Sequence, residues 1–158
     1  MKTKSLHSKY IGIDPGKSGG IVCLDNDSIV AKKCPDNVID MAMTFSIMVG
    51  DTPPKDVVVM LEKVWAMPMD GRSSIFKFGT NFGQWEGIIA TYEIEPQYVV
   101  PKKWMKYFDC PPKLKKKDRK NWLKDLARVL YPEIPKVTLS TADAILIARY
   151  STEINNDR

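Results

Sequence analysis

Three acidic side chains stand where this sequence makes an acid expensive. Asp14 closes the apolar run YIGID just ahead of a Pro-Gly pair, Glu62 closes VVVMLE, and Asp143 sits inside TADAILIARY, a helical segment apolar nearly all round. A buried carboxylate needs a partner, because desolvation penalises its charged form heavily, and none of the three has an adjacent Lys or Arg to supply one apart from Lys63 beside Glu62. Carboxylates gathered at the edge of a buried sheet form an oxygen donor set of the kind that hard divalent cations such as Mg²⁺ accept. Read singly, each acid also has an ordinary role: Asp14 as a turn former, Glu62 as a strand-end charge, Asp143 as an acid near a helix N-terminus.

The charge distribution weights the joint reading. Of a net +5, the segment from Pro101 to Arg128 carries eleven basic residues against three acids, a local +8, so the rest of the chain is at −3. A concentrated basic segment in a mildly acidic protein is the footprint of a polyanion ligand, nucleic acid foremost, although a solvated lysine-rich helix face gives the same pattern. The aromatics among these lysines, Trp104, Tyr107, Phe108 and Trp122, are expected to anchor helices to a core. Carboxylates with a metal, next to a polycation, are what phosphodiester hydrolysis requires.

The elements that must position these groups are legible from punctuation and periodicity. A length of 158 residues with 44% hydrophobic and 27% charged residues suits one globular domain spanning 1–158, its ends at 1–9 and 154–158 expected to be flexible. No apolar run approaches the roughly 20 residues of a membrane span, and MKTKSLHSK has no apolar stretch behind its charges, so the expected location is cytoplasmic. The three cysteines, Cys23, Cys34 and Cys110, are too scattered for a zinc site or a disulfide framework. Tyr10 to Ile13, Gly20 to Leu24 and Ser28 to Lys32 are expected to form a three-stranded meander around tight turns. Asp36 or Asn37 caps a helix to about Val49, and DVVVML is a central buried strand. Ser73 or Ser74 caps a long helix whose packing face is Ile75, Phe78, Phe82, Trp85, Ile89 and Tyr92. Gln97 to Val100 is a strand, Pro101 opens a short helix, Lys116 to Tyr131 an amphipathic one, and a last helix runs from about Ser140 to Glu153. The order βββαβαβαα implies an α/β fold with a mixed five-stranded sheet between helices.

Four of these segments, YIGIDPGKSGGIV, VVVMLEKV, MPMDGRSSIFKFGTNFGQWEGIIA and STADAILIARY, occur in the order found in the RuvC family of Holliday junction resolvases, and the chain resembles that family over nearly its whole length. The resemblance implies a ribonuclease H-like fold, a homodimer, and nicking of four-way DNA junctions in symmetric pairs with one or two Mg²⁺ or Mn²⁺ ions per site. It assigns catalysis and metal binding to Asp14, Glu62 and Asp143 and places Lys120, with Lys117 as the alternative, near the scissile phosphate. The loop from Met67 to Arg72 with Ser73, Ser74 and Lys77, just past Glu62, and Lys103, Lys106, Lys116, Lys117 and Arg119 in the basic segment are the expected DNA contacts. One departure is Ser140, where the family often has a further acid one turn before the last aspartate.

Other readings compete. GIDPGKSGG also resembles the phosphate-binding hairpin of actin-like and sugar-kinase ATPases, but those place the nucleotide between two domains and this chain has length for one. A non-catalytic junction-binding module is opposed by the presence of all three acids. A ribonuclease H-like nuclease acting on flaps, forks or RNA is the closest alternative, since branch preference depends on loop and dimer geometry.

Overall fold

The computed structural model describes residues 8–26 and 28–156. Three antiparallel strands, β1 (Lys9–Asp14), β2 (Gly20–Asp25) and β3 (Ile29–Lys33), are followed by helix α1 (Val38–Val49). After a short 3₁₀ turn come β4 (Val57–Glu62), α2 (Arg72–Ala90), β5 (Gln97–Val99), α3 (Pro101–Tyr107), α4 (Lys116–Leu130) and α5 (Leu139–Asn156). The strands form one mixed sheet in the order β3-β2-β1-β4-β5, with β1 pairing antiparallel to β2 and parallel to β4. Among the described residues no helix is long and apolar enough to cross a membrane.

Side chains alternate across a strand, so each central strand feeds two cores. Ile11, Ile13, Val57, Val59 and Leu61 pack under α1 and α2, whereas Tyr10, Val58 and Met60 pack under α3, α4 and α5. That parity is why β1 and β4 are apolar at nearly every position. The β1–β2 turn is closed by Gly16, which adopts the left-handed region at φ 108° and donates its N–H to Asn81 Oδ1 of α2 at 2.7 Å.

Helix α5 lies unusually close to the sheet. A Cβ on Gly12 would stand 2.4 Å from the backbone N of Ala148 and 2.5 Å from the carbonyl oxygen of Ala144, so only glycine in β1 and small residues in α5 permit this approach. Gly12→Ala is therefore expected to cost about 3 kcal/mol or more, read as a lowered thermal midpoint. An unchanged melt would show that α5 can lift from the sheet freely.

Several expectations need correction. Helix α2 begins at Arg72 with Gly71, extended at φ −66° and ψ 141°, as its N-cap, and no side chain caps it. Ser73 and Ser74 thus lie inside the first turn. The expected packing stripe of α2 fails at its start: Ile75 is exposed and Phe76 is 75% exposed, because the first turns of this helix run beyond the sheet that buries Trp85, Ile88 and Ile89. At the C-terminus α5 continues past Glu153 to Asn156. The Asn155 and Gln97 side-chain amides bond each other reciprocally at 3.0 and 3.1 Å, and Asn156 accepts from Tyr10 Oη. At the other end Ser8 and Lys9 are tied down, Ser8 N–H to the Asp56 carbonyl and Lys9 Nζ to the Met48 and Val49 carbonyls. The rest of the two expected flexible ends, 1–7 and 157–158, lies outside the described residues.

Candidate active site

Strand parity decides where the acids go. Asp14 continues the set Tyr10, Gly12 on β1, and Glu62 continues Val58, Met60 on β4, so both project to the α5 side of the sheet. Ile13 pairs with Leu61 across these adjacent parallel strands, which puts the two strand-end acids side by side. Asp143 comes from the second turn of α5, whose start is held by Thr138 and Thr141, each hydroxyl accepting the other's backbone N–H at 3.1–3.2 Å. Glu62 and Asp143 are only 6% exposed.

The electrostatics of this cluster are those of uncompensated negative charge. Burial, then the neighbouring Glu62 and Asp143 carboxylates, push the Asp14 carboxyl well above its ordinary range. Glu62 is pushed up to about 7 by burial and the Asp143 charge, against the lowering effect of a hydrogen bond from Trp104. Asp14 and Glu62 also share a hydrogen bond. The counter-charge is Lys120 of α4, whose ammonium lies 3.2 Å from Asp143 Oδ2. Burial works to lower the lysine's proton affinity, but the combined pull of Asp143, Asp14 and Glu62 outweighs it and raises the net value. One cation thus faces three carboxyls. Lys117, the alternative position, is exposed and makes no ion pair among the described residues.

Three carboxyl groups offer the oxygen donors that a hard divalent cation accepts, and burial first, then their mutual repulsion, raises the proton affinities of Asp14 and Glu62. Among the described residues no three His, Cys, Asp or Glu side chains are placed, as they stand, to hold a metal ion together. Ser140 occupies the first turn of α5 with its carbonyl oxygen against Gly20, so it adds no acid.

The overall match decides the fold. Over 94% of its length the chain matches 96% of "T. thermophilus RuvC in complex with Holliday junction substrate" at a TM-score of 0.60 with 14% identity. The match to a second structure, "Thermus thermophilus RuvC structure", covers 92% and 96% of the two chains at a TM-score of 0.56 and 13% identity. The chain has the RuvC fold. No family model and no curated protein sequence matches it.

On the RuvC fold the expected DNA contacts fall into two groups. Lys106 and Arg119 come together with Lys102 in an open groove of about 750 Å³ between α3 and α4. The thiol of Cys110, which lines this groove, is pushed up by burial, and Arg119, also in the lining, precedes Lys120 in α4, the residue paired with Asp143. Lys103, Lys116 and Lys117 are exposed nearby but do not line it. Arg72, Ser73, Ser74 and Lys77 are exposed on the first turns of α2, the other group.

The loop from Met67 to Arg72 is an expected DNA contact, but its apolar exposure is not legible as such, and neither is the hydrogen bond of Trp104. The loop after Glu62 exposes a set of large apolar side chains, Trp65 (70%), Met67 (62%) and Met69 (94%), continued by Phe76. The Lys63 ammonium sits 5.2 Å from the Trp65 and the Tyr98 ring centroids, which braces the indole from behind. Apolar residues in a loop rich in Pro, Gly and Asp are its one local signal. Trp104, expected only as a core anchor, is fully buried and also donates its indole N–H to Glu62 Oε2 at 2.5 Å.

Proposed function

We propose that the chain is a divalent-metal-dependent DNA endonuclease that resolves four-way junctions by paired symmetric nicks, working as a homodimer. The observation that carries this reading is the buried group of Asp14, Glu62 and Asp143 with Lys120, among the described residues, as its counter-ion, seated on the RuvC fold beside a basic groove. The Thermus relative is described in complex with a Holliday junction substrate, and branched DNA is the polyanion that the flanking charge here suits.

Bound Mg²⁺ or Mn²⁺, held by the three carboxylates, would supply Lewis acidity and a water of lowered pKa. The chain does the rest. Lys120 anchors Asp143 and presents positive charge where the scissile phosphate enters. Lys102, Lys106 and Arg119 line the groove that receives the strand on one side. On the other, Arg72, Ser73, Ser74 and Lys77 offer charge, hydroxyls and the free N–H groups of a 19-residue helix to phosphates. The exposed Trp65, Met67 and Met69 present apolar surface to bases that a junction leaves unstacked. Trp65→Ala is accordingly expected to weaken junction binding about tenfold, by the roughly 1–3 kcal/mol of a base–aromatic stack, with an unchanged melt. Equal junction affinity in a gel-shift titration would remove Trp65 from the interface.

The homodimer reading rests on the outer surface of α1 and α2. Ile39, Met43 and Ile47 are exposed at four-residue intervals on α1, and Gly79, Gly83 and Gly87 recur at the same interval on α2, where an added Cβ would meet nothing within 4 Å. A ridge and a groove of equal period on one face suit a second copy, and a twofold dimer matches a twofold junction.

The deciding experiment is Mg²⁺-dependent cleavage of a synthetic four-way junction beside a flap, a fork, linear duplex and an RNA–DNA hybrid. Paired nicks confined to the junction support the proposal. Comparable cutting of flaps and forks replaces it with a broad branched-DNA nuclease, and junction binding without cutting in any metal refutes the catalytic reading.

A further inference from the structure

Helix α3 is seven residues long and turns its lysines outward and one side chain inward. Lys102, Lys103 and Lys106 are exposed, while Trp104 is completely buried between the sheet and α5, in the core that also holds Val58, Met60 and Ala144. Packing alone explains a buried tryptophan. It does not explain where the N–H goes. Trp85, equally buried on the other face of the sheet, has no oxygen or nitrogen partner for its indole N–H among the described residues, only the weakly accepting Cys34 thiol, so this fold tolerates a tryptophan held mainly by shape. Trp104 instead spends its N–H on the carboxylate of Glu62, 42 residues earlier in the chain.

An indole nitrogen can donate and never accept. The bond therefore requires that Glu62 Oε2 be an acceptor, which restrains the carboxyl group's orientation while leaving lone pairs on both oxygens for other partners. Among the described residues Glu62 is the one acid of the three that receives a hydrogen bond from a buried ring. It is also the acid with the longest side chain and hence the most rotamer freedom to lose.

We propose that Trp104 is a positioning residue for the metal site: its N–H holds Glu62 in the one orientation from which it can ligate a divalent cation together with Asp14 and Asp143. This rests on reading the carboxylate cluster as a metal site. Positioning partners of metal ligands characteristically contribute 10–100-fold to metal affinity. The rigidity it supplies is preorganisation, so its loss is felt when the ion binds and not when DNA does.

The test compares Trp104→Phe with Leu24→Ala, a cavity-forming change in the same core that lies toward the opposite end of β2 from the carboxylates. Mn²⁺ binding to the DNA-free protein is titrated by calorimetry, and kcat and KM are measured separately on a four-way junction. Trp104→Phe is expected to bind Mn²⁺ at least about tenfold more weakly and to lose kcat with KM unchanged, while Leu24→Ala, despite a lowered melt, keeps wild-type Mn²⁺ affinity. If Trp104→Phe does not fold, 3-benzothienylalanine at position 104 keeps the bicyclic shape without the N–H and is expected to show the same loss. Wild-type Mn²⁺ affinity in a protein lacking that N–H overturns the positioning role, as does an equal loss in Leu24→Ala. A wild-type protein that binds no Mn²⁺ overturns the metal-site reading itself, a separate and recognisable result.

Discussion

Asp14→Asn is expected to abolish junction cleavage, by on the order of 1000-fold or more, while junction affinity stays within about twofold of wild type. The two halves of this prediction have separate causes. Asp14 shares a hydrogen bond with Glu62 and is repelled by both Glu62 and Asp143, so an amide in its place removes a candidate ligand and its charge together. Binding depends on other groups: Lys102, Lys106 and Arg119 in the groove and the start of α2, none of which touches Asp14. Asparagine has nearly the same volume and its amide can donate to Glu62, so the local packing survives. Single-turnover cleavage with a parallel gel-shift titration separates the two effects. A variant that cuts at the normal rate would remove Asp14 from catalysis, and one that loses affinity in step with rate would place it in DNA binding instead.

How much of this site the sequence discloses follows from which interactions are local. Asp14 and Glu62 could be recognised because each ends a strand that is buried on both faces, and counting by twos from Tyr10 and from Val58 puts both on the same side of the sheet. Asp143 was recognisable as an acid within an all-apolar helix. The counter-ion was not: Lys120 meets Asp143 only because α4 packs along α5, and among the many lysines of the basic segment nothing local distinguishes it, so it came from family resemblance alone. Trp104 has the same difficulty, since an aromatic in an amphipathic helix signals burial and not the atom its N–H reaches. The errors are of this kind too. The stripe from Ile75 to Tyr92 has helical period throughout, but period says nothing about where the sheet ends beneath it, and the first turns of α2 extend past that edge. The polar tail after Glu153 looked loose because its partners, Gln97 and Tyr10, are distant in sequence.

The same carboxylate cluster makes the metal-free fold pH-sensitive, with a sign opposite to that of an ordinary salt-bridged protein. Glu62 rises from 4.5 in the unfolded chain to about 7 in the fold, chiefly through burial, and Asp14 rises in the same direction. Below about pH 4 these acids are protonated in both states and impose no difference. As pH climbs, the unfolded chain releases protons that the folded cluster still holds, so the unfolded state gains and stability falls until pH passes the folded values. At about 1.4 kcal/mol per unit, Glu62 alone accounts for about 3 kcal/mol lost between pH 4.5 and 7. For a domain of this size that is roughly 5–10 °C in melting temperature. A divalent cation supplies the missing charge only once the carboxyls are ionised, so Mg²⁺ is expected to raise the melt at pH 8 and to do little at pH 5. Asp14→Asn, which removes one of the repelling charges, is expected to raise the metal-free melt relative to wild type, more at pH 8 than at pH 5. Thermal melts of both proteins at the two pH values, with and without Mg²⁺, check all of this at once. A wild-type melt at pH 8 that neither Mg²⁺ nor Asp14→Asn raises would mean that the three carboxyls do not share one buried field, and the site would have to be abandoned on energetic grounds even if the variant proved inactive.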